Sequence, residues 1–233
     1  MDSSFNSLTV QDKLDAFLSE YGDRYEPDHL EYIIDNFEEF LYERGRPDIL
    51  NQIYAELDLV EDDNNLYKEH LKVIKRLYGL GIDILEIGGG FFPIFSKYVD
   101  EEQRILKAGT ITVYDSKLIT SRVGNVILKK EEYTKNISLN QYKLIVGIMP
   151  CEATELIIKK ANEENKDFYV ALCGCRHFPQ YNYCYTPSEQ EWFNYVYTIA
   201  KHSLPSEREL DVNYLPESFE CHYPIISSKI KVR

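Results

Sequence analysis

The sequence predicts an α/β fold: a mostly parallel sheet with helices on both faces, preceded by a helical extension. Three observations carry this. From Ile82 onward, short apolar runs alternate with segments of helical periodicity, and strands separated by helices imply crossovers and a parallel sheet. Upstream of Ile82, apolar residues recur only at helical spacing. Three consecutive glycines, Gly88, Gly89 and Gly90, follow the first apolar run directly, at the point where a strand would pass into a helix.

The extension spans residues 1–79. Leu30, Ile33, Ile34, Phe37, Phe40 and Leu41 share one helical face, with Pro27 near its start and Gly45 past its end. Ile49, Leu50, Ile53 and Leu57 form a shorter stripe, and Glu61-Asp62-Asp63-Asn64-Asn65 breaks it. Leu66, Tyr67, Leu71, Ile74, Leu77 and Tyr78 form a third stripe. Lys72, Lys75 and Arg76 complement its dipole, and Gly79 can close it.

Residues 80–233 form the sheet domain. Expected strands are Ile82–Ile87, Ile111–Tyr114, Val126–Leu128, Leu144–Met149 and Phe168–Leu172. Expected helices are Ile94–Gln103, Glu152–Asn162 and Ser188–Lys201, with a short turn near Lys117–Arg122. Beyond residue 207 no helical pattern remains. Tyr223–Ser227 reads as a further strand, in an antiparallel hairpin at the sheet edge.

Composition narrows the function classes. A chain of 233 residues buries roughly 70–75% of its unfolded surface and needs no staples. Its five cysteines, an odd number, suit a reducing cytosol better than a disulfide framework. No apolar stretch is long enough to span a membrane. The N-terminal MDSSFNSLTVQDKLDAF lacks the basic and apolar regions of a secretory signal. A cytoplasmic protein is expected.

The net charge is −13. Residues 1–80 carry 19 acids and 8 bases, whereas residues 81–233 carry 20 and 18. The acidic faces of the extension read as solvated helix or as a surface for a protein partner. This charge repels polyanions at distances up to a screening length of about 8–10 Å. A small-molecule partner is therefore favoured over nucleic acid.

The glycine run indicates ligand chemistry. Glycines there let a ligand lie against the backbone, near a helix N-terminus. Two cofactor classes use such a loop. The dinucleotide fingerprint requires G-x-G-x-x-G and an acid roughly 20 residues on. Here Pro93 takes the third glycine position, and Asp115 lies 27 residues after Gly88.

Glu86-Ile87-Gly88-Gly89-Gly90 resembles the first motif of class I S-adenosylmethionine (SAM)-dependent methyltransferases, [D/E]-x-G-x-G. The resemblance implies a Rossmann-like methyltransferase sheet with SAM as cofactor. It implies that Glu86 organises the loop and the methionine end, and that Gly88, Gly89 and Gly90 form the cradle. It implies that Asp115, in TVYDS, takes the two ribose hydroxyls. The family often has another glycine where this chain has Phe92, followed here by Pro93. At the fourth strand the family places the acceptor beside the sulfonium, which puts Met149 at the cofactor. Amino-methylating members often carry [N/D/S]-P-P-[F/Y] there. Met149-Pro150-Cys151-Glu152 lacks the side-chain oxygen that grips an amine. PCEATELIIKKA and FYVALCGCRHF are also similar to eukaryotic tRNA ribose-methylating enzymes, which keeps RNA as an alternative acceptor. A non-catalytic Rossmann-like scaffold is the alternative from another class.

Alignment of a nucleophile behind the methyl group supplies most of such a reaction's acceleration. Glu152 is the candidate general base, and a carboxylate early in a helix is equally a dipole partner. Cys151 reads as a nucleophile or as packing. Cys173, Cys175, His177 and Cys184 offer soft ligands, but without the paired spacing of structural zinc sites, so no metal is expected. Tyr181, Tyr183 and Tyr185 alternate as on one face of an extended segment.

Overall fold

The computed structural model describes residues 66–90, 93–118, 123–173, 188–215 and 224–231. Most of the expected extension, with its stripes from Leu30 to Leu57, lies outside the described residues. So do Phe92, residues 119–122 of the expected turn, and the segment holding Cys175, His177, Tyr181, Tyr183, Cys184 and Tyr185.

The elements run α1 (Leu66–Tyr78), β1 (Ile84–Ile87), α2 (Ile94–Leu106), β2 (Ile111–Tyr114), β3 (Ile127–Lys129), β4 (Leu144–Ile148), α3 (Thr154–Glu163), β5 (Asp167–Ala171), α4 (Glu189–His202), β6 (Arg208–Asn213) and β7 (Ile225–Ile230). The sheet order is β3-β2-β1-β4-β5-β7-β6. The first five strands are parallel. β7 runs antiparallel to both β5 and β6. This is a Rossmann-like sheet: a parallel block closed by an antiparallel pair. Strand order reverses between β1 and β4, and in open α/β sheets ligands bind outside the carboxyl ends of the strands at that reversal.

Alternate residues of each strand face opposite sides, and both sides are apolar. Ile84, Val113, Val146 and Tyr169 pack with Leu71 and Ile74 of α1 and Phe95 and Val99 of α2. Leu85, Ile145 and Val170 pack with Ile157 and Ile158 of α3 and Trp192 and Val196 of α4. Ile74 and Phe95 are fully buried, each worth about 1.5–3 kcal/mol. The helices therefore cover both faces, and α1 shares the core of the sheet.

Element ends differ from the sequence reading by one to three residues, for identifiable reasons. α2 runs on to Leu106, past the last buried residue Gln103: Ile105 and Leu106 are exposed, so the buried stripe does not mark the helix end. Lys107, in the left-handed conformation, ends it. Ser188 is the cap of α4 rather than its first residue: its Oγ accepts from Glu191 N–H, and the Glu191 carboxylate accepts from Ser188 N–H at 2.8 Å. The helix expected from Glu152 begins as a 3₁₀ turn, Cys151–Ala153, and becomes α-helical at Thr154. Among the described residues no helix is long and apolar enough to cross a membrane.

α1 carries a buried polar contact into the sheet. His70 is 3% exposed, and its Nδ1 lies 2.7 Å from the Tyr169 hydroxyl. Burial pushes its pKa down to about 3. In the unfolded chain His70 titrates near the usual 6.5, so between these values the unfolded state binds more protons. Stability is then full above about pH 6.5 and falls as pH drops. From pH 7 to pH 5 the expected loss is about 2 kcal/mol. Urea unfolding of wild type and His70→Gln at both pH values measures it. The variant should lack this increment, and identical pH profiles would show that His70 protonates without cost.

Candidate functional site

The predicted site residues lie at or just beyond the carboxyl ends of β1, β2 and β4, on either side of the reversal in strand order. Gly88 N–H donates to Tyr114 C=O at 3.0 Å, extending the β1–β2 ladder by one step. Gly88 has φ +80°, and a Cβ there would stand 3.2 Å from Pro150 Cα. At Gly89 a Cβ would lie 2.7 Å from Val113 Cγ1, closer than packing tolerates. The chain passes over β2 and beside the β4 turn with no room for side chains.

Asp115 follows β2 and is half-buried. Its Oδ2 accepts from Gly90 N–H at 2.8 Å and its Oδ1 accepts from Lys117 N–H at 2.7 Å. A carboxylate has about four acceptor positions. Among the described residues two are taken, one on each oxygen. Among those residues one position per oxygen remains, on a group whose orientation the backbone fixes.

Glu86 is placed differently. It is 2% exposed, one residue from the end of β1, and accepts a hydrogen bond from the Ser96 hydroxyl. Ser96 N–H contributes a second bond. Pro93, the N-cap of α2, supplies no side-chain cap, so Glu86 satisfies an orphan donor of the first turn from an adjacent strand. Burial raises its pKa to about 7. The Ser96 bonds oppose that rise, and the Asp115 charge adds to it. Two acids near one loop thus occupy unlike environments.

The β4 turn is strained. Met149 has φ +52° and Cys151 φ +48°, on either side of buried Pro150. Left-handed non-glycine residues cost about 1–3 kcal/mol each and cluster at functional sites. Met149 is half-buried, and its N–H donates to Ala171 C=O at 2.9 Å, so the ladder holds it. The Cys151 thiol lies 3.4 Å from Met149 C=O. Glu152 is exposed on the 3₁₀ turn that follows.

The structure thus gathers Glu86, Gly88, Gly89, Gly90 and Asp115 around one loop, with Met149 and Glu152 on the turn beside it. Sequence reasoning missed Ser96 and the strain at Met149 and Cys151. Ser96 sits ten residues after Glu86, in a pattern that reads as an ordinary first helical turn. Met149-Pro150 carries the only signal of strain, since a residue before proline is already restricted. Cys173 is buried at the end of β5. Among the described residues no group of three or more histidine, cysteine or acidic side chains could hold a metal ion.

No family model and no curated protein matches the chain. Solved structures do. A SAM-dependent O-methyltransferase from Thermotoga maritima is 14% identical with a TM-score of 0.47, covering 72% of this chain and 66% of that one. The precorrin-6y methyltransferase from Geobacter metallireducens is 13% identical with a TM-score of 0.43, covering 71% and 86%. A variant of MtNAS in complex with S-adenosylmethionine is 12% identical with a TM-score of 0.46, covering 96% and 99%.

The buried acid has a measurable signature. Folded Glu86 holds its proton more tightly than unfolded Glu86, whose ordinary pKa is 4.5. Its contribution is therefore fully present below pH 4.5 and is lost as pH rises through about 7. The total loss is about 3 kcal/mol. Glu86→Gln should not show this fall, so its stability relative to wild type should rise by that amount between pH 4.5 and pH 8. A constant difference across the range would mean Glu86 is not held near neutrality.

Proposed function

We propose that the chain binds SAM at the β1–α2 loop and transfers its methyl group to a small-molecule acceptor. One observation carries the cofactor reading. Among the described residues, Asp115 keeps one acceptor position open on each carboxylate oxygen while Gly90 N–H and Lys117 N–H fix its orientation. Vicinal ribose hydroxyls are two donors side by side, and one carboxylate takes both with charge-assisted bonds. Gly88 and Gly89 add a backbone surface that side chains would obstruct, beside the N-terminus of α2. The residues present fit the cofactor.

SAM supplies a methyl group activated by positive sulfur. The protein's part is to hold the acceptor in line, which is chiefly positioning. The Met149-Pro150-Cys151 turn is the candidate wall for that purpose, because its strained backbone is over-determined by Pro150 packing and the β5 ladder. Glu152 is the candidate base, used only if the acceptor is protonated at neutral pH. A small acceptor is favoured because a chain of net charge −13 repels a polyanion.

Titration calorimetry with S-adenosylhomocysteine tests the cofactor reading. Loss of the hydroxyl bonds in Asp115→Ala should cost about 2–4 kcal/mol, a factor of roughly 30 to 700 in affinity. Because Asp115 also holds the loop, the 2′-deoxyribosyl analogue serves as a control. It should bind wild type more weakly than the parent compound, and the variant equally. Unchanged affinity in the variant would remove Asp115 from the site. Incubation with SAM and fractionated extract tests the reaction. S-adenosylhomocysteine should accumulate with label in the small-molecule fraction. Label in RNA would reverse the acceptor class, and 5′-methylthioadenosine as coproduct would mean that another carbon on sulfur is attacked.

A further inference from the structure

We propose that Glu86 is the group by which the site distinguishes SAM from S-adenosylhomocysteine, releasing its proton to solvent when the cationic sulfonium binds and retaining more of it when the neutral thioether binds. This rests on the cofactor reading above and assigns the buried acid a specificity role within it.

Glu86 lies directly under the loop: its carboxyl carbon is 3.6 Å from where a Cβ on Gly89 would stand. Among the described residues its surroundings hold no counter-charge. From α2 it meets Ser96. Along the sheet its paired neighbours are Val113 of β2 and Val146 of β4. Asp115, at the end of β2, is the charged group that acts on it, and that charge is negative. Asp100, one turn beyond Ser96, is occupied by Arg104 and by Asn125 N–H. On α1, the sheet-facing titratable groups His70 and Tyr78 are bonded to Tyr169 and to the Phe168 carbonyl. Among the described residues no lysine, arginine or histidine pairs with Glu86.

A buried carboxyl without a cation, next to a loop that receives one, responds strongly to it, because charges interact more strongly away from water. Burial sets its pKa at about 7, so near neutrality a modest stabilisation of the carboxylate changes its protonation. Both ligands carry the same ribose, ammonium and carboxylate. They differ by the methyl group on sulfur and the positive charge it creates, and of the two only the charge acts on a titrating carboxyl at a distance.

Calorimetric titration of the full chain with SAM and with S-adenosylhomocysteine, at pH 6, 7 and 8 in buffers of different ionisation enthalpy, counts the protons released. SAM should release more than S-adenosylhomocysteine at pH 7. If the sulfonium makes Glu86 tenfold more acidic, the affinity ratio in favour of SAM should rise about fivefold from pH 6 to pH 8. In Glu86→Gln both differences should vanish. The wild-type proton count stands without the variant if the variant fails to fold. Equal proton release with a pH-independent ratio, or a pH-dependent ratio that survives in Glu86→Gln, overturns the inference while leaving SAM binding intact. Failure of both ligands to bind overturns the cofactor reading and this inference together.

Discussion

The close approach of the β4 turn to the glycine loop constrains everything around the site. β1 and β4 are neighbours in the sheet, and their chains leave it through the same gap. Pro150 stands where a side chain at position 88 would have to go. That contact requires glycine at 88, and the tight return of the chain puts Met149 and Cys151 in left-handed backbone. Gly147 belongs to the same arrangement, since a Cβ there would come within 2.8 Å of both Pro150 and Ile157. Gly88 and Gly147 thus both pack against the β4 turn at Pro150. A ligand lying across the outer edge of the two loops would meet backbone on one side and a strained turn on the other.

Electrostatics at the two loops divides between two acids. Asp115 is half-buried and held by two backbone N–H groups, an arrangement suited to recognising hydroxyl donors. Glu86 is buried, and burial raises its pKa to about 7, so near pH 7 it is about half protonated. Its hydrogen bonds go to the first turn of α2, so it serves as that helix's missing cap. One residue thus couples the stability of the loop to the charge of whatever the loop holds. The cost of burying Glu86 is tolerable because the group can be protonated, and no neighbouring cation is required to support it.

Much of this was legible in the sequence. The parallel strands read correctly because central strands buried on both faces appear as continuous apolar runs, and β2 matches its expected bounds, Ile111–Tyr114. The glycine loop and Asp115 were visible as a motif, because backbone clearance and a strand-end acid are local features. What depends on tertiary contact was not visible. Nothing in the chain near Ser96 announces that it faces Glu86. The 3₁₀ start at Cys151 follows from Pro150 packing on Gly88 and Gly147, glycines 62 and 3 residues away in the chain. Exposed apolar residues such as Ile105 conceal helix ends, because no face records them.

The most direct measurement is a crystal structure of the protein grown with S-adenosylhomocysteine. Both ribose hydroxyls are expected within about 2.6–3.2 Å of the Asp115 carboxylate oxygens. The sulfur is expected between the glycine loop and the Met149-Pro150-Cys151 turn. Nucleoside density elsewhere on the sheet, or an Asp115 carboxylate that contacts only Gly90 and Lys117 while the ligand is bound, would contradict the proposed site.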